Sequence, residues 1–392
     1  VASPAFQVLV RDASLRTVGQ VSDYTALTVV PRFNAVGAFT LTISEDSPQA
    51  ALLVEGNGLL VRKDTVQLMS GPIRSVDWSK SSDSGASGVL TVSGVDDITV
   101  LAETTCWPDP TAAIGSQTDS VYKISAVAAE TAMRALVNLN IGPGAQSARK
   151  VAGLTLGTDL GRGGSITRQV NQFDSLLTNL QDIAKTANLG FRVVQVGTAL
   201  QFQVYEPTDR SATAKFSFGL GNLTDASYST TPPTLTRALV VAGGGSSPRV
   251  CKLYDRADPL FPDLHIEGFV DKTDVDTASV DLAAQMDQAA DEALTSGASQ
   301  GNLTITPIDI PNLQFGRDYG VGDIVSCEVR GSFLSDVVRE VTISSDTSSG
   351  TVTKATVGSS DSTDTSDVVA QIFAFLVQVK RATSRLTTRK QA

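Results

Sequence analysis

At 392 residues with 41% hydrophobic side chains, the chain is long enough for two or three cored domains, and a charged fraction of only 18% suits many short strands better than long surface helices. A net charge of −10 and a pI near 4.7 argue against a surface that grips nucleic acid, because that affinity comes from Lys and Arg neutralising phosphates. One histidine, His265, and three scattered cysteines, Cys106, Cys251 and Cys327, argue against a Ser-His-Asp triad, a multi-histidine metal centre, a zinc site or a disulfide framework.

From Phe6 to Ile43 strands and turns alternate, FQVLVRD followed by LRTVGQVSDYTALTVVPRFNAVGAFTLTI. Gly37 stands where the chain must bend before Phe39, Leu41 and Ile43 alternate inward. Further strands are predicted at GLLVRKD, VQLMSGPIRSVDWSK and GVLTVSGVDD, and SSDSGASG between the last two reads as a flexible hairpin tip. Short strands this closely spaced predict a barrel or sandwich over residues 1–98.

The character changes at Asp96-Asp97, where ITVLAETTCWPDP leads into VYKISAVAAETAMRALVNLNIG, predicted helical up to the Gly-Pro-Gly stop at 142–144. Next comes GTDLGRGGSITRQ, with glycines at 157, 161, 163 and 164. A glycine loop cradles phosphate only when it opens directly into a helix N-terminus. Here SITRQV alternates like a strand, and no Gly-Lys-Ser/Thr closes the loop, so it reads as a turn before a strand. The following helix is predicted to be capped by Asp174, with Leu176, Leu177, Leu180, Ile183, Ala184 and Ala187 on one face and Gly190 past its end. The run FRVVQVGTALQFQVYEP then reads as a hairpin turning at Val196-Gly197-Thr198.

Beyond Pro207 more strands are predicted, including Thr234 to Val241 closed by Gly243-Gly244-Gly245. The acidic segment DKTDVDTASVDLAAQMDQAADEALTSG holds Asp271, Asp274, Asp276 and Asp281, whose spacing is not that of a calcium loop and fits helix caps. The neighbours of His265, DLHIE, look like the approach to a strand, and the cysteines read as small core residues. NLTITPIDI, YGVGDIVSCEV, VVREVTI and VTKATVG form a last β group. A Ser/Thr/Asp-rich linker occupies Gly358 to Asp367. After it, Val369, Ile372, Leu376, Val379, Thr383 and Leu386 recur at spacings of three and four, either a short coiled-coil seam for self-association or a helix packed back on its own domain. The glutamines within VVAQIFAFLVQV and its length rule against a membrane anchor; no signal peptide is visible, and a soluble protein is expected.

Taken together, SDYTALTVVPRFNAVGAFTLTI, SGPIRSV, SGVDD, the run from GFRVVQ through LQFQVYEPTDRSATAKFS to GNL, and YGVGDIVSCEV resemble the tail-tip hub proteins of actinobacterial siphophages, the tail-associated or minor tail protein family. The resemblance runs from about Phe6 to Gly358 and rests on the order of the segments rather than on any one motif. It implies a β-rich, multidomain α+β fold similar to baseplate central hubs. Two tail-tube-like β-barrel domains would be joined by smaller α+β domains, ahead of a C-terminal helix. The expected division is residues 1–98 for the first tube-like barrel, 99–218 for an α+β connecting domain, 219–357 for a second tube-like domain with an inserted helix near 279–297, and 358–392 for linker and helix.

The function so implied is that of a structural virion protein at the tail tip, made in the host cytoplasm. Three subunits would continue and close the tail tube, anchor tip or fibre proteins and let DNA pass, with a distal tail protein and a tape measure protein as neighbours. No catalytic, cofactor or metal-binding residue is named, since Asp96-Asp97 and Glu206 with Asp209 read as turn and cap residues. Two alternatives stay open: a hexameric distal-tail or adaptor ring with one tube-like domain, and a cell-wall hydrolase or carbohydrate-binding module.

Overall fold

Inward alternation of apolar side chains builds the first elements, and the computed structural model describes residues 6–64, 66–80, 87–243, 248–259, 261–273, 275–347 and 350–358. The chain is mostly β and divides into two compact units that interleave along the sequence: Val1–Thr208 with Thr306–Asp323 and Val338–Ala355, and Asp209–Ile305 with Ile324–Val337 and Thr356–Ala392.

The first unit opens with β1 (Gln7–Arg11), β2 (Thr17–Val21), β3 (Ala26–Val30), β4 (Ala38–Ser44), β5 (Gly58–Lys63), β6 (Val66–Ser79) and β7 (Val89–Val95). Phe39, Leu41 and Ile43 on β4 are buried at alternate positions, as the sequence predicts, and Leu27 and Val29 on β3 join them. β6 is long because it serves two partners: Val66–Pro72 pairs with β5 and Ile73–Ser79 with β7, with register shifts that bend it. Residues 81–86 of the expected hairpin tip lie outside the described residues.

The same unit continues with α1 (Thr99–Ala102), β8 (Val121–Ala128), α2 (Ala129–Asn140), β9 (Leu154–Leu156), β10 (Ser165–Asn171), α3 (Leu176–Thr186), β11 (Gly190–Val196) and β12 (Ala199–Tyr205). Only the second half of the segment expected to be helical is a helix. Val121–Ala128, rich in β-branched and aromatic residues, pairs antiparallel with β10 instead. α2 buries Ala129, Ala132, Met133, Leu136, Val137 and Asn140, and α3 buries Leu176, Asn179, Leu180, Ile183 and Ala184; these stripes meet Phe191, Phe202 and Val204 in one core. The cap of α3 is Ser175, one residue later than predicted, whose hydroxyl accepts from the Thr178 N–H. The hairpin β11–β12 turns through Gly197-Thr198, with Gly197 at φ +61°, a value that glycine adopts without strain.

The second unit carries β13 (Lys215–Phe216), β14 (Leu223–Thr231), β15 (Arg237–Ala242), β16 (Val250–Asp255), β17 (Glu267–Lys272), α4 (Leu282–Ser296), β18 (Gln300–Pro307) and β19 (Ile324–Val329). The chain crosses the division within β18, again within β20 (Ser332–Asp346) and again within β21 (Gly350–Val357). α4 lays Met286, Ala289, Ala290 and Leu294 on Ala238, Val240 and Ala242 of β15. Asp281 stands at its N-cap, as expected, but its side chain makes no cap bond.

In the first unit the hydrogen-bonded path runs β20-β3-β4-β7-β6-β5-β1-β2, and in the second β16-β15-β17 form a separate sheet while β14 pairs with β18. Among the described residues these paths are open, so they close neither unit into the expected barrel.

Candidate functional site

The glycine loop answers its own question through its carbonyls. Gly164 and Arg162 accept the first backbone N–H groups of α2, from Ala129 and Glu130, so the donors an anion would need are already engaged. The fully buried Glu130 carboxylate in turn accepts from the Arg162 backbone N–H at 2.9 Å and its guanidinium at 3.2 Å. Gly163, at φ +75°, lies so close to the helix that a Cβ would stand 2.9 Å from that of Ala129. The loop is the N-terminal cap of a helix that has no capping side chain of its own.

The other sequence candidates separate. Asp271 accepts from the Thr273 N–H and hydroxyl and Asp276 from the Ala278 N–H, both turn bonds, while Asp274 lies outside the described residues. His265 is exposed just before β17. Cys106 and Cys327 are buried, and burial pushes both thiols up to about 12; Cys251 is exposed, contrary to the expectation of three core residues. Glu206 is exposed, and the Ser211 hydroxyl, together with the Ser211 N–H that Asp209 accepts, holds the Asp209 carboxyl below the usual range. Val369, Ile372, Leu376, Val379, Thr383 and Leu386 lie outside the described residues. Among the described residues no group of three or more His, Cys, Asp or Glu is placed to hold a metal ion, and no helix is long and apolar enough to cross a membrane.

The Asp96-Asp97 pair is far more than a turn. Both carboxylates are buried at the end of β7. Asp97 receives both ends of the Arg11 guanidinium, one at 2.9 Å, together with the Ser70 hydroxyl at 2.6 Å, and Arg11 also donates to Gln195 Oε1 at 2.8 Å. The arginine is 4% exposed and thereby ties β1, β7, β6 and β11 together. Asp96 makes no ion pair among the described residues, although the nearby Arg32 charge favours its ionised form. Burial raises its carboxyl to about 7, with the Asp97 charge adding to the rise, although the backbone N–H groups of Gly37 and Ile98 favour the charged form. Sequence reasoning missed Arg11 because FQVLVRD presents it as the polar end of a strand, and its partner stands 86 residues away.

In the second unit a cavity of about 190 Å³ opens between Leu235, Arg256, Leu294 and Ser299. The carboxylate on its wall, Asp258, has its two oxygens on the backbone N–H groups of Phe261 and Ser299, at 3.2 and 2.9 Å. That bonding shapes the loop, and Arg256 on the same wall donates to the Thr295 hydroxyl and to Asp291. On the sheet β16-β15-β17, the side turned away from α4 carries a row of apolar side chains, Leu253, Leu239 and Phe269.

The arrangement offers buried scaffolding and exposed apolar surface, and known tail proteins share the scaffold. The 43 kDa tail protein of prophage MuSo2 from Shewanella oneidensis is similar with a TM-score of 0.60 at 13% identity, over 91% of this chain and 100% of its own. A tail protein from Neisseria meningitidis MC58 is similar with 0.59 at 15%, over 90% and 96%. Prophage tail protein gp18 from Listeria monocytogenes is similar with 0.53 at 9%, over 96% and 99%. A comparison with curated proteins finds no match. The family described as Siphovirus ReqiPepy6 Gp37-like protein matches residues 7–359, nearly the whole chain. With the fold of these tail proteins and this match along its length, the chain belongs to the Siphovirus ReqiPepy6 Gp37-like protein family.

Proposed function

We propose that the chain is a structural virion protein of the phage tail tip, a homotrimeric hub that continues and closes the tail tube, anchors tip or fibre proteins and lets DNA pass at infection. The observation that carries this reading is the shared fold: tail proteins from Shewanella, Neisseria and Listeria align over nearly all of their own length and of this chain. The family match over residues 7–359 agrees with it. In this reading the distal tail protein and the tape measure protein are the neighbours, and the chain is not an enzyme. Residues 1–98 and 219–357 are the tube-like domains, 99–218 connects them, and 358–392 supplies the linker and a C-terminal helix. A net charge of −10 suits a tube wall past which DNA moves without sticking.

Light scattering over a range of concentrations tests the proposal. A hub gives a mass three times the 41.0 kDa of the subunit. A hexamer moves the reading to a distal-tail type of ring, and a monomer that is also missing from the tips of labelled particles ends it.

A further inference from the structure

In the sheet β16-β15-β17, α4 packs against one side, and the other side carries exposed apolar side chains at its centre. Ala238, Val240 and Ala242 face α4, and the alternate residues point away from it. On that open side Leu239 stands in register between Leu253 and Phe269, which are 51% and 63% exposed. One flanking row is Asp255, Arg237 and Glu267, and the other is Cys251, Val241 and Asp271. Arg237 is engaged by Asp255 at 2.8 Å, so the face as a whole holds three carboxylates against one arginine.

Two features mark this as a side meant to be covered. β15 pairs antiparallel with β16 and parallel with β17, the latter an arrangement that in all-parallel sheets goes with packing on both faces. The central strand reads RALVVA, a nearly continuous apolar run, where a strand with one wet face would alternate polar and apolar residues.

The described chain ends in the same unit, since Thr356 to Gly358 belong to it. After Gly358 comes a polar stretch to Asp367, long enough to reach about 30 Å when extended. Then follow Val369, Ile372, Leu376 and Val379 at spacings of three and four, with Lys380, Arg381 and Arg385 beside and after them. An apolar stripe with a basic end complements an apolar row with an acidic rim.

We propose that the segment 368–386 docks in cis across the open face, its apolar stripe on Leu253, Leu239 and Phe269 and its basic residues beside Glu267 and Asp271. The three-stranded sheet then lies between two helices, α4 on one side and this segment on the other. Of the two readings open to the heptad-like stripe, the face selects packing on its own unit over a seam between copies.

The protein carries its own reporter. Cys251 lies on the open face and is exposed, while Cys106 and Cys327 are buried. The experiment compares the rate at which Ellman's reagent modifies Cys251 in the full chain, in a chain ending at Gly358, and in a full-length Leu376→Asp, Val379→Asp variant, with circular dichroism as the check on folding. Docking in cis predicts a several-fold faster reaction in both altered proteins, at a ratio independent of protein concentration. Equal rates in the full chain and the double variant overturn the proposal even if the truncated chain does not fold. Protection of the full chain that grows with its concentration also overturns it, because a second copy is then the occupant.

Discussion

A buried ion pair is costly to break from one side. Removing the Arg11 guanidinium leaves the Asp97 side chain, about 2% exposed, without its cation and with the Ser70 hydroxyl as its remaining side-chain donor among the described residues. Arg11→Met should therefore lower stability by roughly 3–5 kcal/mol in urea unfolding, and adding Asp97→Leu should recover part of that loss. Asp96 is a separate case. Its folded-state pKa, about 7, lies above the value near 4 of an unfolded aspartate, so the folded protein holds this proton more tightly. Stability from this group is full below pH 4, falls as pH rises toward 7 and is level above. Asp96→Asn should flatten the fall in urea midpoint between pH 5 and pH 8 relative to the parent; a variant with an undiminished slope would assign that slope to other groups. Little of this was legible beforehand. Asp96-Asp97 is visible in the sequence as a pair, but burial and the partner Arg11 turn two surface-looking acids into one half of a structural ion pair and a separate titrating group.

Elements follow local chemistry where local chemistry is strong. The hairpin of β11 and β12 is readable because alternation on both arms brackets a glycine-containing turn, and α3 is readable from its apolar stripe. Its cap is displaced by one residue because Phe173 turns through φ +62° and leaves Ser175, not Asp174, facing the first turn. Ser175→Ala should cost about 1 kcal/mol, measured as a shift in urea midpoint, whereas Asp174→Ala should cost less. Strand β8 was hidden by the Ala-rich helix that follows it, whose composition dominates the surrounding window. Its pairing with β10, some forty residues on, decides the matter. At Gly71 two strands approach so closely that a Cβ would strike the Val95 carbonyl oxygen and the backbone of Asp96. Gly71→Ala should therefore cost on the order of 1–3 kcal/mol and lower the Tm, although its backbone conformation would tolerate alanine elsewhere.

For the whole molecule, the trimer mass and the Cys251 experiment address assembly and the C-terminal segment independently, so one can fail while the other stands. By itself the sequence determined a β-rich chain, the position of most strands and turns, and the family resemblance carried by the order of its segments. Each of these depends on neighbours within a few residues, where periodicity, β-branching and turn residues act directly. Only the tertiary structure decided that β3 pairs with β20 from the far end of the chain, that the two units interleave, that Arg11 is buried against Asp97, and that one side of β16-β15-β17 is apolar and open. Those outcomes depend on which distant surfaces meet during collapse, and a residue's environment is a property of that meeting rather than of its neighbours in sequence.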